Sequence, residues 1–239
     1  MHNSTPLFNA VKSGSIEAVD ILLTNRARTD VVSEYSGTPL HCASETGNAD
    51  ITKLLITKGK ADVNAADKNN RTPLFNAVKS GSIETVDILL TNGARTDVVS
   101  KDNSTPLFNA VECCSIEAVD ILLTNGARTD VVDKYGDTPL LSAVESGRGR
   151  STEIINLLIN KGEADVTAAC QKYHINPEVS RLEIAKLFVT EIPRSMSSSQ
   201  PEGKQLSTSH HDDKMSAELT KESTYRPDKS TTAGQGEAK

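Results

Sequence analysis

Four cysteines and five histidines are the side chains of this 239-residue sequence best suited to nucleophilic, ligand or proton-transfer chemistry. A metal site or redox pair needs them at short, fixed spacings. Cys42, Cys113, Cys114 and Cys170 show no CxxC pattern and no His/Cys ligand spacing. The adjacent Cys113-Cys114 is read as a pair of ordinary cytosolic thiols, and no metal is expected. His2, His210 and His211 lie near the chain ends, and the doublet His210-His211 is a weak metal motif. Paired acids such as Glu17/Asp20 recur as Glu84/Asp87 and Glu117/Asp120. Carboxylates copied in this way read as a solvated helix face near a helix N-terminus, not as an acid–base pair. No GxSxG, P-loop, HExxH or GxGxxG pattern is present. An active site needs unlike groups converging on one point, so neither an enzymatic activity nor a cofactor is expected.

The segments carrying these residues are themselves repeated. NSTPLFNAV stands at Asn3 to Val11 and again, unchanged, at Asn103 to Val111. Thr-Pro-Leu begins at Thr5, Thr38, Thr72, Thr105 and Thr138, with spacings of 33, 34, 33 and 33. A period of this size marks supersecondary units that stack on one another. The 30 residues from Ser4 differ from those from Arg71 at three positions and from those from Ser104 at five. Units two and five form a second type with one extra residue, Lys60 in KGKADV and Glu163 in KGEADV.

Each unit predicts a helix–turn–helix. Thr5 is an N-cap and Pro6 occupies the first helical position, where its missing N–H is not needed. Gly14 stops the short helix, and Ser15 starts a second one, SIEAVDILLTN. Ile16, Val19, Leu22 and Leu23 are expected to form its buried stripe. A polar turn then leads to the next Thr-Pro-Leu. Three Asn-x-Thr sequons, at Asn3, Asn70 and Asn103, all fall just before the N-cap. A left-handed Asn before a capping Thr accounts for them without a glycan.

TPLHCASETG from Thr38, LLTNGA from Leu89 and DKYGDTPL from Asp133 resemble the ankyrin repeat family. The resemblance spans five units over residues 1–170, starting near Ser4, Gly37, Arg71, Ser104 and Asp137. It implies an all-α repeat solenoid of helix-turn-helix units with β-hairpin-like fingers, and a concave face made by fingers and first helices. The family's histidine after Thr-Pro-Leu, which ties neighbouring loops together, survives only as His41. Phe8, Phe75, Phe108 and Leu141 stand in its place. Arg26 occupies the position of Gly93 and Gly126, and Cys114 that of Gly81. If the backbone stays left-handed there, each residue costs about 1 kcal/mol. Arg148-Gly149-Arg150 is expected to loosen the inter-helix turn of the fifth unit.

The two ends depart from the pattern. The first unit starts almost at Met1, with no finger before it and no dedicated polar cap, as a truncated piece of a larger array would. The alternative is self-association, the bare unit stacking on another chain. Residues 171–192 are expected to form a degenerate capping repeat with an amphipathic helix through Val179, Leu182, Ala185, Phe188 and Val189. Residues 193–239 contain fourteen Ser or Thr, two Leu and no Ile, Val or Phe. Such a composition cannot offset its ordering entropy by burial, so a disordered Ser/Thr-rich tail is expected.

Composition bounds the function. The net charge is −6 without a basic block, which argues against nucleic acid. No apolar run approaches the ~20 residues of a membrane helix, so no membrane insertion is expected. No leader-like segment is seen, and an intracellular, cytoplasmic location is expected. What remains is a protein-binding scaffold or adaptor. Its candidate contact residues are the finger tips, Glu34, Tyr35, Lys68, Asn69, Lys101, Asp102, Lys134 and Tyr135. Asn9, Asn76 and Asn109 on the first helices are expected on the same side. Tyr35, Tyr135 and Tyr173 are expected in exposed turns, where tyrosine offers contact area at little entropic cost.

Overall fold

A computed structural model describes residues 5–33, 37–146, 151–178 and 180–190. Within them lie twelve α-helices arranged as six consecutive pairs. The first helices are α1 (Pro6–Lys12), α3 (Pro39–Glu45), α5 (Pro73–Ser80), α7 (Pro106–Glu112) and α9 (Pro139–Ser146). Their partners are α2 (Ile16–Thr24), α4 (Ala49–Thr57), α6 (Ile83–Thr91), α8 (Ile116–Thr124) and α10 (Ser151–Asn160). α11 (Thr167–Lys172) and α12 (Arg181–Thr190) complete the array. Each first helix packs on the next first helix, and each second helix on the next second helix, giving two layers. Among the described residues the only β-pairing is an isolated antiparallel bridge, Ser33 with Gly37, at the base of the first finger.

Helices of six to ten residues are too short to persist alone in water, where about 12–15 residues are marginal. Burial between neighbours holds them. Leu7, Leu40, Leu74, Leu107 and Leu140 of Thr-Pro-Leu are all buried, and so are Ala10, Ala43, Ala77, Ala110 and Ala143 one turn later. Caps specify the starts. The Thr105 and Thr138 hydroxyls accept from the N–H of Phe108 and Leu141 at 3.4 and 3.2 Å. Ser15, Asn48, Ser82 and Ser115 cap the second helices in the same manner.

The stops carry the strain anticipated at the substituted glycines. Arg26 has φ 61° and Cys114 φ 53°, against 87° and 75° for the equivalent glycines Gly93 and Gly81. The unit backbone therefore overrides the local preference of these residues. Lys60 and Glu163 are also left-handed, at φ 53° and 51°. The extra residue thus moves the left-handed stop one place along and leaves Gly59 and Gly162 for another use. A Cβ on Gly59 would lie 2.9 Å from Thr29 Cγ2 and 2.7 Å from the Leu55 carbonyl oxygen. Gly162 meets Thr129 Cγ2 at 2.8 Å. These glycines let consecutive units approach, and the hydroxyls of Thr29 and Thr129 donate to their carbonyls at 3.2 Å.

Two sequence expectations need correction. In α2, Val19 and Leu23 are buried and Leu22 is half-buried, but Ile16 is 42% exposed. The buried stripe turns instead through position 18, whose equivalents Thr85 and Ala118 are fully enclosed. Tyr173 is not in an exposed turn: it follows α11, half-buried, with its ring edge-on to Phe188 at 6.3 Å. α11 itself straddles residue 171, so the last pair has a six-residue first helix beginning at Thr167. In α12, Ile184, Ala185 and Phe188 are buried, and the Arg181 guanidinium donates to the Ile159 carbonyl at 3.0 Å. Val179, the side chains of Leu182 and Val189, the turn Arg148-Gly149-Arg150 and the expected tail of 193–239 lie outside the described residues.

His41 joins two units. Its Nδ1 accepts from the Thr38 N–H at 3.1 Å, which places the ring proton on Nε2, and Nε2 donates to the Arg71 carbonyl at 3.0 Å. The ring is fully buried, and burial depresses its pKa; the carbonyl of Arg71 and the charges of Asp67 and Glu45 only partly oppose this. Phe8, Phe75 and Phe108 fill the same position with buried rings and no such bond.

Two outcomes follow. Arg26→Gly relieves a left-handed Arg on an exposed turn and should raise stability by about 1 kcal/mol in urea denaturation; a loss would show that Arg26 makes a compensating contact. The depressed pKa of His41 means that the unfolded chain binds a proton more readily than the folded one. Its contribution is complete above the ordinary imidazole value of about 6.5 and is lost as pH falls below it, levelling off at the depressed folded value. The stability difference between wild type and His41→Phe should therefore move against wild type between pH 7.5 and 5.5, and a pH-independent difference would contradict the assignment.

Candidate functional site

The fingers that join consecutive units are built alike. In each, one backbone N–H reaches the carbonyl four residues on: Asp67 to Arg71 at 2.8 Å, Ser100 to Ser104 at 2.8 Å, Asp133 to Asp137 at 3.0 Å. Side chains lock two of these turns. Asp67 Oδ1 accepts from the N–H groups of Asn69 and Arg71, both at 2.8 Å. Asp133 Oδ1 accepts from those of Tyr135 and Asp137, at 2.8 and 3.0 Å. In the third finger Ser100 Oγ takes the corresponding N–H of Ser104 at 3.2 Å. Each finger closes on a left-handed residue, Gly37, Asn70, Asn103 or Gly136. Asn70 and Asn103 thus adopt the conformation expected of the sequon asparagines.

The second and third fingers are cross-linked. The Lys101 N–H donates to the Asn69 carbonyl at 2.9 Å, and the Asn70 amide donates to the Val99 carbonyl at 2.6 Å. Arg71 pairs with Asp102 at 3.4 Å, an exposed contact that contributes little energy. These two tips are therefore held to one another through backbone and side-chain hydrogen bonds.

The sequence-derived residues separate into three groups. Lys68, Lys101, Asp102, Lys134 and Tyr135 are exposed at the tips, and Asn69 is half-exposed. Tyr135 is 70% exposed, with the Lys134 ammonium 5.0 Å from its ring centroid in a cation–π arrangement. On the first helices Asn9 is exposed, but Asn76 and Asn109 are only partly so. Asn76 Nδ2 donates to the His41 carbonyl at 3.1 Å, and Asn109 Oδ1 accepts from Ser104 Oγ at 3.3 Å. Asn76 therefore serves in part to join its unit to the preceding one, a use visible only once that unit is placed, while Asn109 fastens its own helix to the entry turn at Ser104. Glu34 and Tyr35 lie outside the described residues.

The last residue of α7, Glu112, lies beside this group. It is accessible to water, yet the surrounding walls desolvate it enough to raise its pKa, and Asp133 adds repulsion. Arg71 and Lys134 pull in the other direction. Two acidic and two basic groups thus share a field between the second and fourth fingers. Nothing here resembles an activated nucleophile. The Cys42 thiol is buried and pushed up by that burial, while Cys113 is exposed and Cys114 half-buried. Among the described residues no group of three or more His, Cys, Asp or Glu side chains is placed to hold a metal ion. Within the same residues no helix is long and apolar enough to cross a membrane.

The family model described as ankyrin repeats matches residues 7–102 and 90–170. Three relatives illustrate the range of similar proteins. The transient receptor potential cation channel subfamily A member 1 of Drosophila melanogaster is 35% identical over 96 residues, covering 38% of this chain and 8% of the channel. Fowlpox virus (strain NVSL) ankyrin repeat protein FPV230 is 35% identical over 79 residues, covering 33% of this chain and 42% of that protein. The B-cell lymphoma 3 protein homolog of Mus musculus is 35% identical over 101 residues, covering 40% and 22%. This chain therefore spans less than half the length of each. Ankyrin repeats generally mediate protein–protein interaction and are typically not enzymes. With stacked helix pairs, left-handed finger closures and a match through most of the described array, the chain belongs to the ankyrin repeat family.

Proposed function

We propose that the chain is a non-catalytic scaffold or adaptor that holds a protein partner on the face made by its fingers and first helices. The carrying observation is Tyr135, 70% exposed on a turn that Asp133 locks with two hydrogen bonds. An aromatic side chain left in water on a rigid support loses little entropy when a partner covers it. Lys68, Lys101 and Lys134 occupy one register on three successive fingers, and Asp102 and Glu112 add acidic groups between them. This mixed-charge surface suits a folded or extended protein segment with its own pattern of charges. It lacks the continuous basic field that nucleic acid requires.

Recognition in this reading needs no reorganisation of the array, because Lys101 to Asn69 and Asn70 to Val99 tie the second and third fingers, and Asp133 locks the fourth, before any partner arrives. Partner identity is set by complementarity to the tips, and affinity by desolvation around Tyr135.

Site-specific photo-crosslinking tests this reading. A crosslinking residue at Lys101 or Tyr135 should trap a discrete protein from native lysate, and the same residue at Asp87 on the second-helix side should not. Tyr135→Ala should then weaken the purified complex roughly tenfold, about 1.4 kcal/mol. Trapping the same protein equally from Asp87, or an unchanged affinity for Tyr135→Ala, would move the interface off the fingers.

A further inference from the structure

The second helices carry two parallel rows of side chains, one exposed and one at the boundary between core and solvent. Each helix carries an acid in its first turn, Glu17, Asp50, Glu84, Glu117 and Glu153, and all five are exposed. Four residues on, and so on the same side of the helix, stand Ile21, Leu54, Ile88, Ile121 and Leu157. None of these is fully buried, and Ile21 is 62% exposed. The acids alone are explained by the helix dipole. The apolar row is only partly spent on stacking: Leu54, Ile121 and Leu157 pack against the core yet keep an edge in water, and Ile21 is mostly exposed.

Across α6, α8 and α10 the rows sink into a cleft of about 790 Å³. Ile83, Ile116, Ile121 and Leu157 form its apolar lining, and Glu117 and Glu153 border it. The remaining charges of the cleft cancel, because Lys161 bridges Asp120 at 2.5 Å. Its net field therefore comes from the two glutamates. The cleft is distinct from the finger face, and nothing about it depends on the reading of that face.

We propose that this cleft docks an amphipathic helix of a partner protein, with apolar anchors on one side and Lys or Arg flanking them. The charge of the rim calls for a cationic ligand and repels nucleic acid and anionic lipid. The lining consists of side chains on helices and offers no strand edge to an extended peptide, whose backbone groups would lose water without gaining partners. A helix satisfies its backbone internally. The spacing also fits: packed helices lie ~8–10 Å apart, and residues seven apart in a helix are separated by ~10.5 Å. An anchor every second turn thus meets successive second helices, one near Ile121 and the next near Leu157.

The test uses the full chain and a synthetic helical peptide about five turns long, with Leu at heptad spacing and Lys beside it, against a scrambled peptide of identical composition. The designed peptide should bind in fluorescence anisotropy and shift the NMR signals of α8 and α10. Ile121→Ser/Leu157→Ser and Glu117→Lys/Glu153→Lys, checked for folding by circular dichroism, should each weaken it roughly tenfold. Tyr135→Ala should leave it unchanged. Equal binding of the scrambled peptide, shifts confined to the finger face, unaffected variants, or no binding at millimolar peptide would overturn the proposal. So would a dimer of the chain that Ile121→Ser/Leu157→Ser dissociates, since that assigns the cleft to a second copy.

Discussion

The whole array depends on burial between units that cannot bury themselves. A seven-residue helix such as α5 has too few internal hydrogen bonds to offset its nucleation. Leu74, Phe75, Ala77 and Val78 are nonetheless buried on it, because α3 and α7 cover the two sides. The same arrangement repeats at Leu40 and Leu107. Stability in such a stack resides in the interfaces, and each unit borrows its fold from the next. This tolerance of repetition explains how the chain can spell NSTPLFNAV twice, one hundred residues apart. Stacking needs the same leucine in the same place each time; an active site does not.

Polar contacts then fix how the units meet. His41 spans the loops at Thr38 and Arg71, Asn76 reaches back to the His41 carbonyl, and Ser82 donates to the Gly47 carbonyl at 3.2 Å. The contacts follow the unit types. Where a first-type unit precedes a second-type one, Lys58 reaches Asp20 and Lys161 reaches Asp120, both at 2.5 Å, beside the close approach at Gly59 and Gly162. Where a second-type unit comes first, Asn64 takes over, bonding the Gly93 carbonyl and the Arg95 N–H. The one-residue insertion is thus the device that lets a glycine face the preceding unit. A surface built this way is rigid before it meets anything, which suits recognition better than chemistry.

Much of this was legible in the residues. The Thr-Pro-Leu period placed the first helices α1, α3, α5, α7 and α9 but not α11, and Asn70 and Asn103 announced left-handed turns because few other residues tolerate them. The finger lock was partly legible: Asp67 and Asp133 are turn residues by type, though not their double acceptance of backbone N–H groups. What stayed hidden depends on neighbours. Ile16 sits at helical spacing with Val19, but only the packed array shows it turned to water. Tyr173 looks like another turn tyrosine until Phe188 is brought against it. Asn76 looks like a surface amide until the preceding unit places a carbonyl within reach. The cleft across α6, α8 and α10 belongs to no single unit, so no stretch of sequence could display it.

Hydrogen exchange on Leu74→Ala addresses the dependence of each unit on its neighbours most directly. Removing this fully buried side chain from α5 should cost about 2–5 kcal/mol. If the units share their stability, exchange should quicken in α3, α4, α7 and α8 as well as in α5 and α6. Acceleration confined to α5 and α6 would mean that the units fold on their own, and would contradict the account.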